Sequence, residues 1–157
     1  KGVQYCHIRV PKSNPESSVP LNIANTHLQA SFAKHSSYFD CHEIAKKQLS
    51  KIIRDCPYEW CLLIGDMNLQ QDQLSEFIKN ESKIDYFGEN TDTTFPECND
   101  RLDYVLLVSK ISGRKKVINA KNTTESSVDL SDHFPITTEF KFTHNETEPV
   151  SPRRASP

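Results

Sequence analysis

The sequence predicts a mixed α/β fold, and three observations support this prediction. Residues 62–64 form a short apolar run that ends at Gly65 and Asp66, as a buried strand does at the edge of a sheet. Apolar residues recur at three- and four-residue spacing over residues 44–53, which predicts an amphipathic helix before that strand. A further strand is predicted at residues 21–26, and strand, helix and strand in succession are the crossover unit of an α/β sheet.

The remaining predicted elements follow the same rules of periodicity. Alternating or continuous apolar runs predict strands, and a second amphipathic segment predicts a short helix. The further predicted strands cover residues 2–10, 101–109, 115–121 and 136–142, and the short helix covers residues 72–80. The first strand is expected to form a hairpin with residues 21–26, and the strand at 115–121 is expected to lie beside that at 101–109. Residues 143–157 are polar and rich in proline, which predicts a disordered tail after a domain at 1–142.

The length and charge of the chain limit the functions that it can have. Its 157 residues are about one domain's worth of sequence. Because the chain starts at Lys1 without an initiator Met and enters a predicted strand at once, we expect it to be a piece of a larger domain. With 19 basic and 21 acidic residues its net charge is −2, which counts against a nucleic-acid substrate because no overall basic field attracts one.

The sequence does not assign the protein to a cellular compartment. No apolar run approaches the ~20 residues needed to cross a bilayer, and no signal peptide is visible. The five cysteines are an odd number and lack the close pairs of a zinc site. Buried or free thiols are therefore favoured over a zinc site made by Cys41, His42, Cys56 and Cys61.

Two polar side chains follow the apolar run at residues 62–64. Asp66 and Asn68 are predicted to lie on one side of an extended chain, with Met67 pointing away from them. A carboxylate and an amide two residues apart suit a hard divalent cation together with a phosphate that the cation bridges. The simpler alternative is a strand that runs into an Asx turn.

Asp103 is an acidic residue inside an otherwise apolar predicted strand. A buried acid without a partner costs several kcal/mol, and the natural partner here is His133 at the start of the last strand. An Asp that accepts from one imidazole nitrogen raises the basicity of the other, which makes a general base. Adjacent Asp132 is predicted to turn the opposite way, toward a cation near Asp66. The alternatives are an ion pair between Asp103 and Arg101, and a simple turn at the Asp-His pair.

His27 ends a different predicted strand, where it could donate to a phosphate oxygen that gains charge in the transition state. Attack of water on a phosphoryl centre requires a metal, a base, an acid that orients the base, and an oxyanion donor. Simpler explanations are a half-exposed histidine at 27, a hydrogen-bonded strand end at Asn25 and a core side chain at Tyr104. Each simpler explanation treats its residue as unrelated to the others. Several unrelated residues of these types, in this order and each at a strand end, are less expected than one shared site.

Four motifs in the sequence resemble, in order, those of the endonuclease/exonuclease/phosphatase superfamily, which includes pancreatic deoxyribonuclease and neutral sphingomyelinases. The motifs are NTHLQ at 25–29, GDMN at 65–68, RLDY at 101–104 and SDHFPI at 131–136. The resemblance implies a deoxyribonuclease I-like, four-layered α/β/β/α sandwich, of which this chain is the C-terminal part, and Mg²⁺ as the cofactor. It also implies that His27 stabilises the transition state, Asp66 and Asn68 hold metal and phosphate, Asp103 orients His133, Asp132 assists the metal, and His133 handles the proton of the attacking water.

The superfamily pattern also requires an N-terminal half that carries an early Asn and the principal metal-binding Glu. No Glu in this sequence is at a comparable strand end, since Glu16 is in a loop rich in Pro and Ser and Glu43 is on the predicted helix. This chain alone is therefore expected to bind Mg²⁺ weakly and to be inactive. The parent protein is expected to be a Mg²⁺-dependent phosphodiester hydrolase.

Residues beside the motifs separate the substrate classes within the superfamily. The segment NTHLQA at 25–30 is most similar to neutral sphingomyelinases, which implies a phospholipid phosphodiesterase acting at a membrane surface. The residues after Asn68 and Asp103 differ from those of inositol polyphosphate 5-phosphatases. A nuclease or a generic phosphoesterase is the alternative within the class, although the only basic run near the motifs is at residues 114–116. A binding module that keeps the fold without the metal is the alternative from another class.

Overall fold

The computed structural model describes residues 2–11, 18–30, 38–86, 92–110, 118–126 and 131–142. The predicted tail at 143–157 and the basic run at 114–116 lie outside these ranges. In chain order the elements are β1 (Val3–Pro11), β2 (Ser18–His27), α1 (Tyr38–Asp55), β3 (Trp60–Asp66), α2 (Gln71–Lys79), β4 (Ile84–Tyr86), a 3₁₀ turn (Pro96–Cys98), β5 (Asp103–Ser109), β6 (Ile118–Thr124) and β7 (Ile136–Phe142).

Five of the strands form one sheet in the order β1-β2-β3-β5-β4. The predicted hairpin is confirmed, since β1 and β2 pair antiparallel. The predicted crossover is also confirmed, because β2 and β3 pair in parallel and α1 connects them. β5 runs antiparallel to both β3 and β4. The sequence analysis did not predict β4, because its three residues are too few to show an alternating pattern.

The last two strands form a separate two-stranded sheet. β6 pairs antiparallel with β7 from Ile118↔Phe142 to Thr124↔Ile136. The expectation that the strand near residues 115–121 lies beside the strand at 101–109 is therefore wrong. A strand pattern indicates that a segment is extended and which face is buried, but it does not name the neighbouring strand.

The main hydrophobic core lies between α1, α2 and one face of the five-stranded sheet. Its fully buried side chains include Ala45, Leu49 and Ile53 of α1, Leu74 of α2, and Ala24, Leu63, Leu106 and Val108 of the sheet. The helix positions are spaced by four residues, as the predicted amphipathic pattern requires. Ile44 was expected on this face, but its side chain is 43% exposed. One residue is about 100° of helix rotation, which carries Ile44 away from the sheet.

The opposite face of the sheet is also apolar. Leu21, Leu62 and Leu107 are buried there, and a cavity of about 410 Å³ separates this face from the segment around Phe134 and Ile136. The described residues therefore form three layers in the order helix, sheet and sheet. This arrangement confirms the predicted α/β sandwich. Among the helices that the structure describes, none has both the length and the apolar character needed to span a bilayer.

None of the five cysteines is in a disulfide bond, and Cys41, Cys56 and Cys61 are buried. His42 contacts Gln73, with its Nδ1 atom 2.6 Å from the Gln73 Nε2 atom. Within the described ranges, no group of three or more His, Cys, Asp or Glu side chains is arranged to hold a metal ion. The expected burial of thiols is confirmed for Cys41, Cys56 and Cys61, and the expected absence of a zinc site stays a prediction.

Candidate active site

Strand register places three ionisable residues in one row across the five-stranded sheet. His27 at the end of β2 is the partner of Asp66 at the end of β3, and Asp66 is the partner of Asp103 at the start of β5. The parallel strands β2 and β3 end at this edge of the sheet, and the antiparallel strand β5 begins there. An imidazole and two carboxylates from distant parts of the sequence therefore meet at one edge.

Gly65 allows β2 and β3 to approach closely next to this row. Its φ is +129°, and a Cβ atom at this position would lie 2.0 Å from the carbonyl oxygen of Thr26. Only glycine fits so close to a neighbouring backbone with this φ. Beyond Gly65, the Leu28 N–H donates to the carbonyl oxygen of Asp66 at 2.9 Å, which continues the pairing past the end of both strands.

Asp66 is largely buried, with a side chain that is 15% exposed. Its Oδ2 atom lies 3.3 Å from Nε2 of His27, and its Oδ1 atom accepts from the Asn68 N–H at 2.8 Å. Burial raises the pKa of the Asp66 carboxyl above its usual value, and the charge of Asp103 adds to this, whereas the Asn68 hydrogen bond acts in the opposite direction. The ionised form of the Asp66 carboxyl is therefore less stable in the fold than it would be in water.

Asn68 is held in a turn that brings it back to Asp66. Its φ is +48°, and its Nδ2 atom donates to the carbonyl oxygen of Leu28 at 3.2 Å. The expectation of an extended chain through Asn68 is wrong, because the Asn68 N–H bonds the Asp66 side chain in an Asx turn. Met67 between them is fully buried, as predicted. The alternative of an Asx turn is therefore confirmed. The same turn places the Asn68 amide beside the strand ends.

Asp103 and His133 form the predicted pair. Nδ1 of His133 lies 2.7 Å from Oδ2 of Asp103, and the two side chains are 27% and 21% exposed. Because an ionised carboxylate can only accept, Nδ1 carries the proton and Nε2 is the basic nitrogen. Arg101 instead donates to the carbonyl oxygen of Asp92, so the alternative of Arg101 as the partner of Asp103 is wrong.

The charges around His133 favour its protonated form. Burial lowers the pKa of His133, but the hydrogen bond and charge of Asp103, together with the charges of Asp66 and Asp132, outweigh it. The net effect raises the pKa of His133 above its usual value. Since Asp103 is both the register partner of Asp66 and the hydrogen-bond partner of His133, the row of strand ends and the Asp103–His133 pair belong to one site.

Thr94 links Asp103 to the segment that carries His133, and the sequence analysis did not identify it. Its side chain is fully buried, and its Oγ1 atom accepts from the N–H groups of Leu102 at 3.0 Å and Asp103 at 3.2 Å. Its carbonyl oxygen accepts from the Phe134 N–H at 2.8 Å, next to His133. A threonine in a turn-rich segment has no periodic pattern, so only its contacts reveal this role.

Asp132 is exposed beside His133. Its Oδ1 atom accepts from the Ser131 hydroxyl at 3.0 Å, and the same hydroxyl accepts from the His133 N–H at 3.2 Å. No contact among the described residues joins the carboxylates of Asp132 and Asp66. The expected role of Asp132 with a cation near Asp66 stays a prediction.

The side chains around an open cleft complete the site. Asn25, His27, Gly65 and Asp66 line a cleft of about 500 Å³, and the His27 side chain is 63% exposed. Tyr104 does not line this cleft. It is buried in the core and its hydroxyl donates to the carbonyl oxygen of Arg101 at 2.6 Å, so the core alternative for Tyr104 is confirmed.

Comparison with protein-family models and with curated protein sequences finds no match. Solved structures do match. Beta toxin from Staphylococcus aureus has a TM-score of 0.56 at 18% identity, over 86% of this chain and 56% of that chain. TDP2 of D. rerio, complexed with a single-strand DNA product, has a TM-score of 0.59 at 15% identity, over 88% of this chain and 62% of that one. Truncated TDP2 of Caenorhabditis elegans has a TM-score of 0.52 at 16% identity, over 89% of this chain and 65% of that one.

The chain has the deoxyribonuclease I-like fold. This confirms the fold that the four motifs imply. The chain spans between 56% and 65% of the length of these three structures.

Proposed function

We propose that this chain is part of a metal-dependent phosphodiester hydrolase. The observation that carries the proposal is the Asp103–His133 hydrogen bond of 2.7 Å beside the row formed by His27, Asp66 and Asp103. An oriented imidazole next to a desolvated carboxylate is an arrangement that activates water near a bound cation and phosphate. The shared fold and the order of the four motifs support the same class of reaction.

In this proposal His133 is the general base. Its Nε2 atom takes the proton of the attacking water, while the Nδ1 proton stays in the hydrogen bond to Asp103. Asp103 fixes the tautomer and stabilises the imidazolium that forms. His27 has an exposed ring at the cleft, from which it donates to a non-bridging phosphate oxygen as negative charge develops.

Mg²⁺ is the proposed cofactor, and the residues at Asp66 fit it in part. A buried carboxylate whose pKa is raised, with the acidic Asp103 as a neighbour, is stabilised by a nearby cation. Mg²⁺ accepts carboxylate and amide oxygens and commonly keeps several waters, so Asp66 and Asn68 are suitable but incomplete ligands. Asp132 is the third candidate. When bound, Mg²⁺ polarises a phosphoryl oxygen of the substrate.

The proposed substrate is a phospholipid whose head group is joined through a phosphodiester. The sphingomyelinase-like segment at residues 25–30 and the net charge of −2 support a lipid over a polyanionic nucleic acid. The second candidate is a nuclease, which the fold shared with a TDP2 complexed with single-strand DNA product favours. A non-catalytic binding module is the candidate from another class.

The deciding experiment is a hydrolysis assay of the full-length protein with Mg²⁺ or with EDTA. The substrates are sphingomyelin liposomes, single-stranded and duplex DNA, and inositol phosphates, and His133→Gln is the matched inactive variant. Release of phosphocholine that needs both Mg²⁺ and His133 supports the lipid proposal. Cleavage of DNA alone supports the nuclease. Binding of a substrate without turnover of any of them overturns the hydrolase proposal and supports a binding module.

A further inference from the structure

Two buried cysteines flank the turn that joins α1 to β3. Cys56 directly follows α1 and is 2% exposed, and Cys61 is the second residue of β3 and is 1% exposed. Their Sγ atoms lie 3.3 Å apart. A disulfide bond is about 2.05 Å long, so the two sulfurs need to approach by only about 1.3 Å to form one.

The backbone of this turn accepts two hydrogen bonds from Lys110, which directly follows β5. The Lys110 N–H donates to the carbonyl oxygen of Glu59 at 2.8 Å, and the Lys110 ammonium donates to the carbonyl oxygen of Cys56. Cys61 is in register with Val108 of β5. The short distance between the sulfurs is therefore a property of a fixed turn, in which neither cysteine can move far from the other.

We propose that Cys56 and Cys61 form an intramolecular disulfide when the protein folds in the presence of a small-molecule disulfide such as glutathione disulfide. One cysteine thiolate attacks a sulfur of glutathione disulfide and releases one glutathione thiolate. The other cysteine thiolate attacks the protein sulfur of this mixed disulfide and releases the second glutathione. The two protein thiols lose two electrons and two protons, and one glutathione disulfide becomes two glutathione molecules.

Burial of the pair determines when this reaction takes place. Burial raises the pKa of the Cys61 thiol, and the adjacent Cys56 adds to the increase. A thiol of high pKa is a slow nucleophile at neutral pH and a poor leaving group. The bond therefore forms during folding, before the pair is covered, and afterwards resists reduction by external thiols.

The disulfide would tie the end of α1 to the strand that carries Asp66. Closing this short loop restricts the unfolded chain and stabilises the connection. The proposal concerns the turn and does not depend on the proposed hydrolase function. Cys6 and Cys98 are exposed, so they provide an internal reference for simple reaction with glutathione.

The test is to refold the whole chain in glutathione buffers of increasing oxidised fraction and to block the remaining thiols with N-ethylmaleimide under denaturing conditions. The fully reduced chain takes up five labels, because it has five cysteines. With the Cys56–Cys61 bond present, it takes up at most three. A glutamyl endopeptidase cuts between the two cysteines after Glu59, so the bond appears as a covalent link between two separate peptides. The matched variants are Cys56→Ser and Cys61→Ser, with Cys41→Ser as the control for loss of a buried thiol.

We expect the linked peptides in the wild-type chain and in Cys41→Ser, and their absence in Cys56→Ser and Cys61→Ser. A certain ratio of reduced to oxidised glutathione will remove the glutathione bound to Cys6 and Cys98. The Cys56–Cys61 link should persist when that ratio is raised at least tenfold further. Labelling of both Cys56 and Cys61 in buffers where Cys6 and Cys98 carry glutathione overturns the proposal, as does a link between another pair. The peptide map of the wild-type chain decides the result even if the serine variants do not fold.

Discussion

The Nδ1 atom of His133 lies 2.7 Å from Oδ2 of Asp103, although the two residues are thirty positions apart and only Asp103 is part of a strand. Asp103 starts β5 in the five-stranded sheet, whereas His133 precedes β7 in the two-stranded sheet. A hydrogen bond between an imidazole and an ionised carboxylate is stronger than one between neutral groups. The geometry of the proposed base therefore depends on how the two sheets are placed relative to each other.

Removing either member of this pair should strongly reduce catalysis by the full-length protein. For Asp103→Asn we expect kcat to fall by about 10²–10⁴-fold, because the imidazole loses its tautomer and its orientation. His133→Gln should cost at least as much. The double variant should be close to the more damaged single variant, since the two residues act as a unit. Fully additive losses in kcat would show that the residues act independently.

The rate should depend on pH through His133. A base must be neutral at Nε2, so kcat/KM should rise with pH as His133 loses its proton. The hydrogen bond and charge of Asp103 raise the pKa of His133, whereas a cation bound at Asp66 or Asp132 would lower it, so Asp103 is the part of this shift that a substitution isolates. Asp103→Asn should move the midpoint to lower pH in whatever activity remains. An unchanged midpoint in Asp103→Asn would exclude His133 as the group that titrates.

The same shift predicts how stability depends on pH. A group whose pKa is raised on folding stabilises the folded state fully below its unfolded pKa, and this contribution is lost as pH rises through its folded pKa. His133→Gln should therefore cost most stability below about pH 6.5 and progressively less above it. Urea denaturation of this chain at a series of pH values measures the difference. A constant difference between the two proteins across this range would contradict the assignment.

Asp66→Asn should abolish activity and increase stability. The pKa of Asp66 is raised, so its charged form is disfavoured in the fold, and removing the charge should add about 1 kcal/mol to the free energy of unfolding at pH 7. The gain should vanish below about pH 3.9, where the carboxyl is protonated in the unfolded chain as well. The asparagine introduced at position 66 keeps a side-chain oxygen that can accept the hydrogen bond from the Asn68 N–H.

The matched control for Asp66→Asn is Glu97→Gln, which removes an exposed carboxylate. It should change stability by no more than about 0.5 kcal/mol. Equal effects of the two substitutions in a denaturant titration would show that burial of the Asp66 charge is not the cause.

Gly65→Ala should prevent β2 and β3 from pairing as they do. The added Cβ atom would lie 2.0 Å from the Thr26 carbonyl oxygen at a φ of +129°, so we expect a loss of about 3 kcal/mol or more. Gly2→Ala is the control, because a Cβ atom there meets nothing within 4 Å. Guanidinium unfolding of both variants tests this. A Gly65→Ala protein as stable as Gly2→Ala would show that the close approach of the strands is not required.

Thr94→Val should loosen the start of β5 beneath Asp103. The substitution keeps the side-chain shape but removes the acceptor for the Leu102 and Asp103 N–H groups, at a cost of about 2 kcal/mol. Thr94→Ser keeps the hydroxyl and should retain most of the stability. The neighbouring Thr93 donates to the Asn99 side chain at an exposed position, so Thr93→Val should be nearly neutral. Hydrogen exchange of the Asp103 amide should accelerate in Thr94→Val alone.

Much of the local structure follows from short stretches of sequence. Four-residue spacing of apolar residues predicted α1, a continuous apolar run predicted β3, and alternation predicted β7. The exposed Ile44 shows the limit of this approach, because an apolar side chain one position off the helix stripe looks the same in the sequence as one that faces the core. The Asx turn at Asn68 shows another limit, because Asp and Asn serve both turns and ligand sites.

The sequence by itself determined most of the strands and both helices, and which residue types stand at their ends, since periodicity and turn chemistry act over a few residues. Only the tertiary structure decided that β6 pairs with β7, that Thr94 joins Asp103 to the chain beside His133, and that His27, Asp66 and Asp103 share one row. These relationships depend on strand register and on contacts between distant segments, which are set by the packing of the whole core and leave no local pattern.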